Sequence, residues 1–431
     1  MSNVQNARGT RDLLPAAMHR RLRVITTIRE VYAAYGFEPL ETPAMERIET
    51  LMGKYGEEGD QLIFRILERG EGGREGKADL ALRYDLTVPL ARVMAQNQSL
   101  PLPFKRYQVQ PVWRADRPQR GRYREFYQCD ADIVGAPGRV AEAECLAVAH
   151  DALTRLGFED FTIYLNHRQL LSALVAAAGV PEREAEVLVS IDKLDKIGVD
   201  GVTAELVGRG IAPEAVARLW TLLAAPTDLD AVEAAIGAAA FASAAELRQT
   251  LSHARDLGVT RVTFDATLAR GLSYYTGAVY EVKLTEGGVG TVAAGGRYDG
   301  LIGMFSGKNV PAVGVSLGLE RILVVMEERG MLGASVTRTR ALVTLFSPET
   351  VPASLALAAR LRHAGLEIET WLGEPGGLGK QFKYASSRGI PYAIVLGPDE
   401  LAAGTVAIKD LGAGAQQHLA TDAVEALLRS V

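Results

Sequence analysis

The segment from residue 105 to 135 constrains the fold more than any other part of the sequence. Residues 105–115, KRYQVQPVWRA, and 126–135, FYQCDADIVG, alternate polar and apolar side chains, which is the pattern of a half-buried strand. The intervening DRPQRGR contains proline and glycine, so we predict a strand–loop–strand hairpin. Five arginines and four acids fall within residues 113–135, although the whole chain has a net charge of only −5. The hairpin therefore concentrates charge of both signs in one place.

The arginine-bearing half of this hairpin has the composition of a nucleotide site. Guanidinium groups such as those of Arg114 and Arg122 donate hydrogen bonds in a planar fork that matches phosphate oxygens. Phe126 offers a flat apolar face on which a purine could stack. The alternative is a solvated surface or an ion-pair network, which is what charge-rich segments usually form. The segment alone does not decide between the two interpretations.

The return strand carries a second group of polar side chains. Gln128, Asp130 and Asp132 are spaced two residues apart, so they lie on one face of a strand. Such a face could receive a small cationic or hydrogen-bonding ligand. It could equally be a salt-bridged sheet face, and both alternatives stay open at this point.

Length and composition bound the class of protein. A chain of 431 residues exceeds one ordinary hydrophobic core, so we expect two or three domains. No apolar run is long enough to span a membrane, and the start MSNVQNARGTRDLLP lacks the apolar core of a secretory signal. Cys129 and Cys145 are the only cysteines, which excludes a disulfide framework and gives no structural zinc site. We therefore expect a cytoplasmic protein that spans no membrane, and we assign no metal ligand. Because the net charge is acidic, a nucleic-acid partner must meet a local basic surface.

Changes in composition and in secondary-structure signals along the chain predict its domains. Residues 1–166 mix helix and strand signals, and strand signals return in 257–332, beginning with RVTFDATLAR at 261–270. Between these two parts, residues 167–256 are rich in alanine, leucine and acids and predict an inserted helical domain. Residues 336–431 alternate short apolar strands with helices, which predicts a separate small α/β domain.

Two short segments outside the hairpin carry groups suited to an ammonium group or a phosphate. Asp85 and Thr87, in RYDLTVPLAR, combine an anion with a hydroxyl that could hold an ammonium group, although helix capping is an alternative. Arg321, in GVSLGLERI, falls in the first turn of a predicted helix, which is a favourable position for meeting a phosphate. The alternative for this second segment is a strand packed closely against a helix.

Two further segments contain glycines beside polar or aromatic groups. In TLARGLSYYTGAVYE, Arg270 precedes Tyr274 and Tyr275, which we place on opposite faces of a strand, so that one hydroxyl reaches a given ligand. Adjacent tyrosines are also common in plain sheet packing. In VAAGGRYDGL, Gly295 and Gly296 permit close backbone approach to a ligand, or form a tight turn.

Taken in order along the chain, these segments resemble the histidyl-tRNA synthetases, a class II aminoacyl-tRNA synthetase family. RGTRDLLP and GKYGEEGDQLIFRI are similar to the family's opening and first class II signature, and WRADRPQRGRYREFYQCDAD is similar to the second. LARGLSYYTGAVYE and AAGGRYDGL resemble the two histidine-specific signatures, and GVSLGLERI resembles the third class II signature. GKQFKYASSRGIPYAIVLGPDEL resembles the family's anticodon-binding domain. The resemblance covers essentially the whole chain.

The resemblance implies an α+β fold, with an antiparallel catalytic sheet flanked by helices, a helical insertion domain and a C-terminal α/β anticodon-binding domain. It implies a homodimer whose interface is lined by the first signature. It also implies an activity: L-histidine is activated with ATP, which arrives with Mg²⁺, to histidyl-adenylate, and histidine is then transferred to tRNA(His).

The resemblance assigns roles to individual residues. It implies that ATP is bound by Arg114, Asp116, Arg122, Phe126 and Arg321. It implies that histidine is bound by Asp85, Leu86, Thr87, Arg114, Gln128, Asp132, Arg270, Tyr274, Tyr275 and Tyr298. Arg114 and Arg270 are the implied catalytic groups, approaching the α-phosphate from two sides.

The sequence departs from the family pattern in places. Ser273 stands where many members carry Asp, which leaves the orientation of Arg270 and the tyrosines open. Asp116 replaces a common Glu, and the string Asp85–Leu86–Thr87 replaces a Glu-Gly-Thr variant.

Two catalytically silent alternatives share parts of this pattern. One is a regulatory subunit of ATP phosphoribosyltransferase, which binds histidine but lacks the anticodon domain. The other is a tRNA-sensing pseudo-synthetase domain within a longer kinase-like chain. The presence of both Arg270 and an anticodon-type domain favours an active synthetase.

Overall fold

The protein is described from a computed structural model covering residues 4–224, 226–269, 274–286, 288–333 and 337–430. The described residues divide into two compact units. The larger unit comprises the chain up to Arg11 and from Val24 to Met331, and the smaller comprises Asp12–Arg23 and the chain from Leu332 onward. Helix α1 (Pro15–Ala34) therefore contributes residues to both units.

The larger unit contains the remaining helices as far as residue 328 and the strands as far as residue 318. The helices are α2 (Ile48–Leu51), α3 (Gly56–Gln61), α4 (Glu71–Arg74), α5 (Thr87–Gln96), α6 (Val140–Arg155), α7 (Arg168–Ala177), α8 (Glu184–Ile191), α9 (Leu194–Gly208), α10 (Pro213–Leu222), α11 (Leu229–Ile236), α12 (Phe241–Asp256), α13 (Gly303–Ser306) and α14 (Leu319–Glu328). The strands are β1 (Glu38–Pro39), β2 (Met45–Arg47), β3 (Arg65–Leu67), β4 (Ala78–Leu82), β5 (Phe104–Trp113), β6 (Glu125–Val134), β7 (Phe161–His167), β8 (Val262–Phe264), β9 (Ala278–Leu284), β10 (Thr291–Arg297) and β11 (Ala312–Gly318). None of the helices in the described parts of the chain is long and apolar enough to cross a membrane.

A large sheet is the scaffold of this unit. Over the described residues it has eight strands in the order β1-β5-β6-β11-β10-β9-β7-β8. Neighbouring strands are antiparallel except for the parallel edge pairs β1–β5 and β7–β8. Strands β2, β4 and β3 form a small separate antiparallel sheet. The predicted α+β class, with an antiparallel sheet flanked by helices, is confirmed.

The predicted hairpin forms the second and third strands of the sheet. Strands β5 and β6 pair in continuous register from Phe104 opposite Val134 to Trp113 opposite Glu125. The arginine-rich loop is closed by the backbone N–H of Arg114, which donates to the carbonyl of Arg124 at 3.0 Å. The alternation of the two segments therefore identified both strands and their shared turn.

Between β7 and β8 the described residues form helices and connecting turns, with no strand. Helices α7 to α12 are joined by turns and by 3-10 segments at Pro181–Arg183 and Gly237–Ala239. Helix α9 is kinked at Gly198, whose φ of 67° is unfavourable for residues with a side chain. An inserted helical domain was predicted at this place, and its boundaries at 167 and 256 stay a prediction.

The strand predicted over residues 261–270 is wrong in length, because β8 ends at Phe264. The Asp265 carboxylate accepts hydrogen bonds from the backbone N–H of Thr267 at 2.9 Å and from its hydroxyl at 2.6 Å. This local turn diverts the chain from the strand, as aspartate side chains commonly do.

The smaller unit has the alternating β and α order that the sequence indicates after residue 336. Its elements are β12 (Ala341–Val343), α15 (Val351–His363), β13 (Ile368–Thr370), α16 (Leu378–Ser387), β14 (Tyr392–Val395), α17 (Pro398–Ala403), β15 (Thr405–Asp410), β16 (Gln416–Ala420) and α18 (Val424–Arg429), with 3-10 segments at Pro348–Thr350 and Thr421–Ala423. In the described residues the sheet order is β13-β12-β14-β15-β16, with β12 parallel to both of its neighbours. Its core includes Leu357, Leu361, Ile394, Val406 and Ile408.

Candidate active site

A cavity of about 670 Å³ is lined by strands β6, β9, β10 and β11 and by the arginine-rich loop. Volumes of this size are typical of sites for small-molecule ligands. The predicted residues that line it are Asp85, Thr87, Arg114, Asp116, Arg122, Phe126, Gln128, Asp132, Tyr274, Tyr275, Tyr298 and Arg321. Arg270 and Ser273 lie outside the described residues. The fold thus brings the two halves of the hairpin and four distant segments to one cavity.

The inner face of β6 forms one end of the cavity. Gln128, Asp130 and Asp132 all line it, as the alternation of the strand predicted. The neighbouring strand places Gly314 opposite Asp132 and Ser316 opposite Asp130. A Cβ atom on Gly314 would lie 1.9 Å from Asp132 Oδ1, so the missing side chain leaves room for the carboxylate.

Asp132 is held from two sides by buried groups. Its Oδ2 lies 2.8 Å from the Arg106 guanidinium, and its Oδ1 accepts a hydrogen bond from the Tyr298 hydroxyl. Arg106 is fully buried and also donates to the backbone carbonyl of Leu86 at 3.2 Å. These contacts fix the carboxylate at the cavity wall.

The acids at this end of the cavity are poorly compensated in the protein alone. Burial raises the pKa of Asp85, Asp130 and Asp132 above the usual carboxyl range, and the Arg106 guanidinium acts against that rise in all three. A buried carboxylate without a full countercharge favours binding of a cation. This end of the cavity is therefore suited to an ammonium or a similar cationic group.

Asp85 has one oxygen occupied and one available. Its Oδ1 accepts from the Val88 N–H and from the Tyr55 hydroxyl, both at 3.0 Å. Its Oδ2 is buried without a hydrogen-bond partner, and so is Gln128 Oε1. Buried acceptors without a partner are uncommon and point to a donor supplied by a ligand. The Asp85 side chain thus accepts a hydrogen bond from the first turn of α5 and also lines the cavity. The sequence had left these two roles as alternatives.

Leu86 is not brought into the cavity. The residue is fully buried and is absent from the cavity wall. Its contact with the site is the backbone carbonyl that accepts from Arg106. The position next to Asp85 therefore supports the site through the backbone.

Arg114 is set among aromatic rings at the junction of the two halves of the hairpin. Its Cζ lies 4.2 Å from the centroid of the Tyr84 ring and 5.2 Å from that of Phe126. Its Nε donates to the Tyr84 carbonyl at 3.0 Å. Stacking and this hydrogen bond hold the planar guanidinium in one orientation at the cavity wall.

Arg122 and Asp116 form a bidentate ion pair, in which Nε and Nη2 each lie 3.0 Å from a carboxylate oxygen. Arg321 lies in the first turn of α14, as predicted, and donates to the Thr291 carbonyl on β10. Arg114, Arg122 and Arg321 all line the cavity, and Arg321 packs against Gly121, the neighbour of Arg122, so we call this part of the cavity its cationic end. This cationic end is suited to the phosphates of a nucleotide.

The other arginines of the loop have different surroundings. Arg120 pairs with Glu328 on α14, and Arg124 donates to the Asp116 carbonyl at 3.1 Å. Arg117 is exposed. The Arg120 side chain therefore holds the loop against α14, whereas the Arg124 side chain stabilises the loop internally.

The prediction that Tyr274 and Tyr275 face opposite sides is wrong. Both residues line the cavity, and their ring centroids are 4.9 Å apart. The reason is that β9 begins only at Ala278, so the strand alternation does not apply to the tyrosine pair. The Gly295–Gly296 pair also lies within β10 rather than in a tight turn.

The sequence reasoning missed Arg106. The signal is present in the hairpin, because β5 carries polar residues at alternate positions 106, 108 and 110. Their cross-strand partners are Asp132, Asp130 and Gln128. If the β6 positions had been paired with β5 positions through the hairpin register, Arg106 would have been placed opposite Asp132.

The comparisons with known proteins agree with this geometry. The family model described as "Histidyl-tRNA synthetase" matches residues 9–322, and the one described as "Anticodon binding domain" matches residues 340–430. The chain is 44% identical to a histidine–tRNA ligase from Gloeobacter violaceus, with 95% of each chain covered. It is 42% identical to a histidine–tRNA ligase from Cytophaga hutchinsonii, with 97% of each covered.

A solved structure shows the same likeness in three dimensions. The histidyl-tRNA synthetase from Nostoc sp. PCC 7120 is 32% identical and superimposes with a TM-score of 0.85, with 100% of each chain covered.

Proposed function

The chain belongs to the histidyl-tRNA synthetase family, and from that premise we propose that it is an ATP-dependent histidine–tRNA ligase. It joins L-histidine to the 3′ end of tRNA(His) in two steps. One observation carries the proposal: a single cavity has an acidic, hydrogen-bonding end and a cationic end, both built on one hairpin.

The acidic end binds the amino acid. The unpartnered oxygens of Asp85 and Gln128 accept hydrogen bonds from the α-ammonium group, with the Thr87 hydroxyl beside them. Asp132 and the tyrosines 274, 275 and 298 surround the imidazole. A buried pocket with paired donors and acceptors strongly rejects apolar side chains of similar shape, because its own polar groups would be left unpaired.

The cationic end binds ATP. Arg114 contacts the α-phosphate, Arg122 and Arg321 hold the outer phosphates, and Phe126 stacks on the adenine. Asp116 orients Arg122 through the bidentate pair. Mg²⁺ is carried by the nucleotide, where it neutralises phosphate charge. Arg270 approaches the α-phosphate from the opposite side.

In the first step, the histidine carboxylate oxygen forms a bond to the α-phosphorus while the bond to the bridging oxygen breaks and pyrophosphate leaves. No side-chain nucleophile is required. The arginines position the reactants and stabilise the charge on the equatorial oxygens, and they stay protonated at any working pH. In the second step, the terminal ribose hydroxyl of tRNA attacks the adenylate carbonyl and AMP leaves.

The anticodon-binding match favours the ligase over the regulatory subunit of ATP phosphoribosyltransferase. A histidine-binding regulatory subunit of the kind considered above lacks this domain, whereas residues 340–430 match it. We further propose that the active form is a homodimer whose interface includes the first class II signature, and that the enzyme acts in the cytoplasm.

The direct test is histidine-dependent exchange of pyrophosphate into ATP, followed by aminoacylation of tRNA(His). We expect exchange only when histidine is present, and no exchange with the other amino acids. Absence of exchange by folded protein that still binds histidine would overturn the ligase and support a regulatory histidine-binding protein.

A further inference from the structure

Tyr55 is a buried residue from outside the motifs assigned to substrate binding, yet it reaches the site. It directly precedes α3, and 2% of its surface is exposed. Its hydroxyl donates to Asp85 Oδ1 at 3.0 Å. The residue is not part of the cavity wall, so it touches the site only through other side chains.

The Tyr55 hydroxyl helps to fix the orientation of the Asp85 carboxylate. Oδ1 receives two donors, the Val88 N–H and the Tyr55 hydroxyl, which saturates it in the folded protein. Oδ2 has no partner, although it is buried and belongs to a side chain that lines the cavity. The two donors to Oδ1 therefore fix the rotation of the carboxylate and leave Oδ2 for an incoming donor.

The Tyr55 ring also supports the arginine-bearing half of the hairpin. Its centroid lies 4.5 Å from that of Tyr84, and Tyr84 in turn lies 4.2 Å below the Arg114 guanidinium. Hydroxyl and ring thus have separable effects, since the hydroxyl acts on Asp85 and the ring acts on the stack beneath Arg114.

We propose that Tyr55 is a positioning residue for amino-acid recognition, which orients the Asp85 carboxylate toward the α-ammonium group of histidine. The proposal rests on the proposed function, because it takes histidine as the ligand of the acidic end. It goes beyond that function by assigning part of the specificity for the amino group to a residue that touches no substrate.

Electrostatics gives the proposal a pH signature. The groups that act on Asp85 are Arg114 and Arg106, the neighbouring acid Asp130, and the tyrosines 55 and 84. Burial raises the pKa of Asp85, and the hydrogen bond from Tyr55 opposes that rise because it stabilises the charged form. Removal of the Tyr55 hydroxyl should raise the pKa of Asp85 further. As the pH is lowered, histidine binding should therefore begin to weaken at a higher pH in the variant than in wild type.

The test compares Tyr55→Phe with wild type in histidine-dependent pyrophosphate exchange, using the full chain. Because the ring remains, the stack beneath Arg114 is preserved. We expect KM for histidine to rise about ten-fold, in line with loss of a hydrogen bond to a charged group, while KM for ATP changes less than two-fold. The acid limb of the histidine KM profile should move to higher pH.

The matched control is Tyr35→Phe. The Tyr35 hydroxyl also donates to a carboxylate, Asp151, at 2.7 Å, but neither residue lines the cavity. Both variants lose one tyrosine–aspartate hydrogen bond in the same unit. An equal loss of histidine affinity in both would show a general stability effect and overturn the proposal.

Two further measurements distinguish a role of Tyr55 in orienting Asp85 from a general effect on the fold. Imidazolepropionate, which is histidine without its amino group, should inhibit wild type and Tyr55→Phe equally. In an Asp85→Asn background, Tyr55→Phe should have little additional effect, since residues that act through one another are not additive. Weaker inhibition of Tyr55→Phe by imidazolepropionate, or full additivity, would contradict the proposal.

The outcomes also distinguish the proposal from its premise. If wild type shows no histidine-dependent exchange, the proposed function fails. If wild type shows it and Tyr55→Phe is unchanged in KM for histidine and in pH profile, the function stands and the assignment of Tyr55 is wrong.

Discussion

At the scale of single residues, the site depends on polar groups that the fold leaves incompletely satisfied. Asp85 Oδ2 and Gln128 Oε1 are buried without partners, and the acids of β6 share the Arg106 guanidinium. Such groups destabilise a protein in the absence of ligand and become favourable only when a matching donor binds. The acidic end of the cavity therefore lowers the stability of the ligand-free protein and favours binding of a matching donor.

The Gly314→Ala substitution tests how closely the sheet is fitted to Asp132. A Cβ atom at this position would lie 1.9 Å from Asp132 Oδ1, so the carboxylate must move. We expect KM for histidine to rise by an order of magnitude or more, as is typical when a 1 Å displacement disturbs a site. Steady-state exchange kinetics measure this.

Gly300→Ala is the control for this change, since an added Cβ there meets no atom within 4 Å. Its kinetics should match wild type. Unchanged histidine kinetics in Gly314→Ala would mean that Asp132 is not constrained as described.

The Asp130→Asn substitution tests how much the ionised, buried carboxylate destabilises the ligand-free protein. Because burial raises the pKa of Asp130, the folded protein holds this proton more tightly than the unfolded chain does. The protonated Asp130 therefore stabilises the folded protein at low pH, and this stabilisation is lost as the pH rises through the raised pKa. We therefore expect the ligand-free variant to gain stability over wild type between pH 5 and pH 8, by roughly 2 kcal/mol.

Urea unfolding at both pH values measures the free energy of unfolding. Asp79→Asn, at an exposed carboxylate, should show a much smaller change. A gap between Asp130→Asn and wild type that does not vary with pH would exclude the electrostatic explanation.

At the scale of elements, the arginine-rich loop is held by the N-terminal segment. The Gly9 carbonyl accepts from the Arg124 N–H at 2.8 Å. Arg11 pairs with Glu320 in the first turn of α14, and its Cζ lies 3.8 Å from the centroid of the Tyr123 ring. One short segment thus links the loop to the helix that carries Arg321.

Arg11→Met should therefore impair the nucleotide end more than the amino-acid end. The change leaves the buried Glu320 carboxylate without this partner, close to the cavity. We expect KM for ATP to rise about five- to fifty-fold, since breaking a partly buried charge pair commonly costs about 1–2 kcal/mol or more. Exchange kinetics with ATP and histidine varied separately give both constants.

Arg47→Met is the comparison, because Arg47 pairs with Glu49 at a strongly exposed position. Exposed pairs contribute little, so its constants should stay near wild type. A larger effect on KM for histidine than for ATP in Arg11→Met would contradict the assigned role of the segment.

The elements also show what sequence can and cannot predict. Strands β5 and β6 lie within two residues of the bounds that the sequence indicated, because alternation over ten residues is a strong local signal. The predicted extension of β8 failed because one aspartate side chain, Asp265, ends the strand by a turn. The predicted divergence of Tyr274 and Tyr275 failed because strand periodicity was applied beyond the end of the strand.

Arg106 and Tyr55 illustrate a second limit. Their importance comes from contacts across strands or between distant segments, which a local pattern does not show. Arg106 could have been found through the hairpin register, whereas nothing in the sequence near Tyr55 indicates its bond to Asp85. The position and function of Arg270, outside the described residues, remain a prediction from resemblance.

At the scale of the whole molecule, the two units have separable tasks in the proposed reaction. The larger unit contains the cavity, and the smaller matches an anticodon-binding domain. Residues 336–431 contain nine basic and nine acidic side chains, so RNA binding there depends on their arrangement. Helix α16 carries two exposed lysines, Lys380 and Lys383.

Lys383→Glu should therefore affect transfer to tRNA but not activation. We expect kcat/KM for tRNA(His) to fall about ten-fold at physiological salt, with a smaller effect at lower salt, as expected for a contact between a lysine and a phosphate. Pyrophosphate exchange should equal that of wild type. A parallel loss of both activities would show that the substitution disturbs the fold.

The central claim is that histidine and ATP occupy adjoining ends of one cavity on a single hairpin. A crystal structure of the protein with histidine and a non-hydrolysable ATP analogue tests it most directly. We expect the α-ammonium group within hydrogen-bond distance of Asp85 Oδ2 and Gln128 Oε1, and the α-phosphate beside the Arg114 guanidinium. Histidine bound elsewhere, or a nucleotide bound away from the arginine-rich loop, would contradict the account.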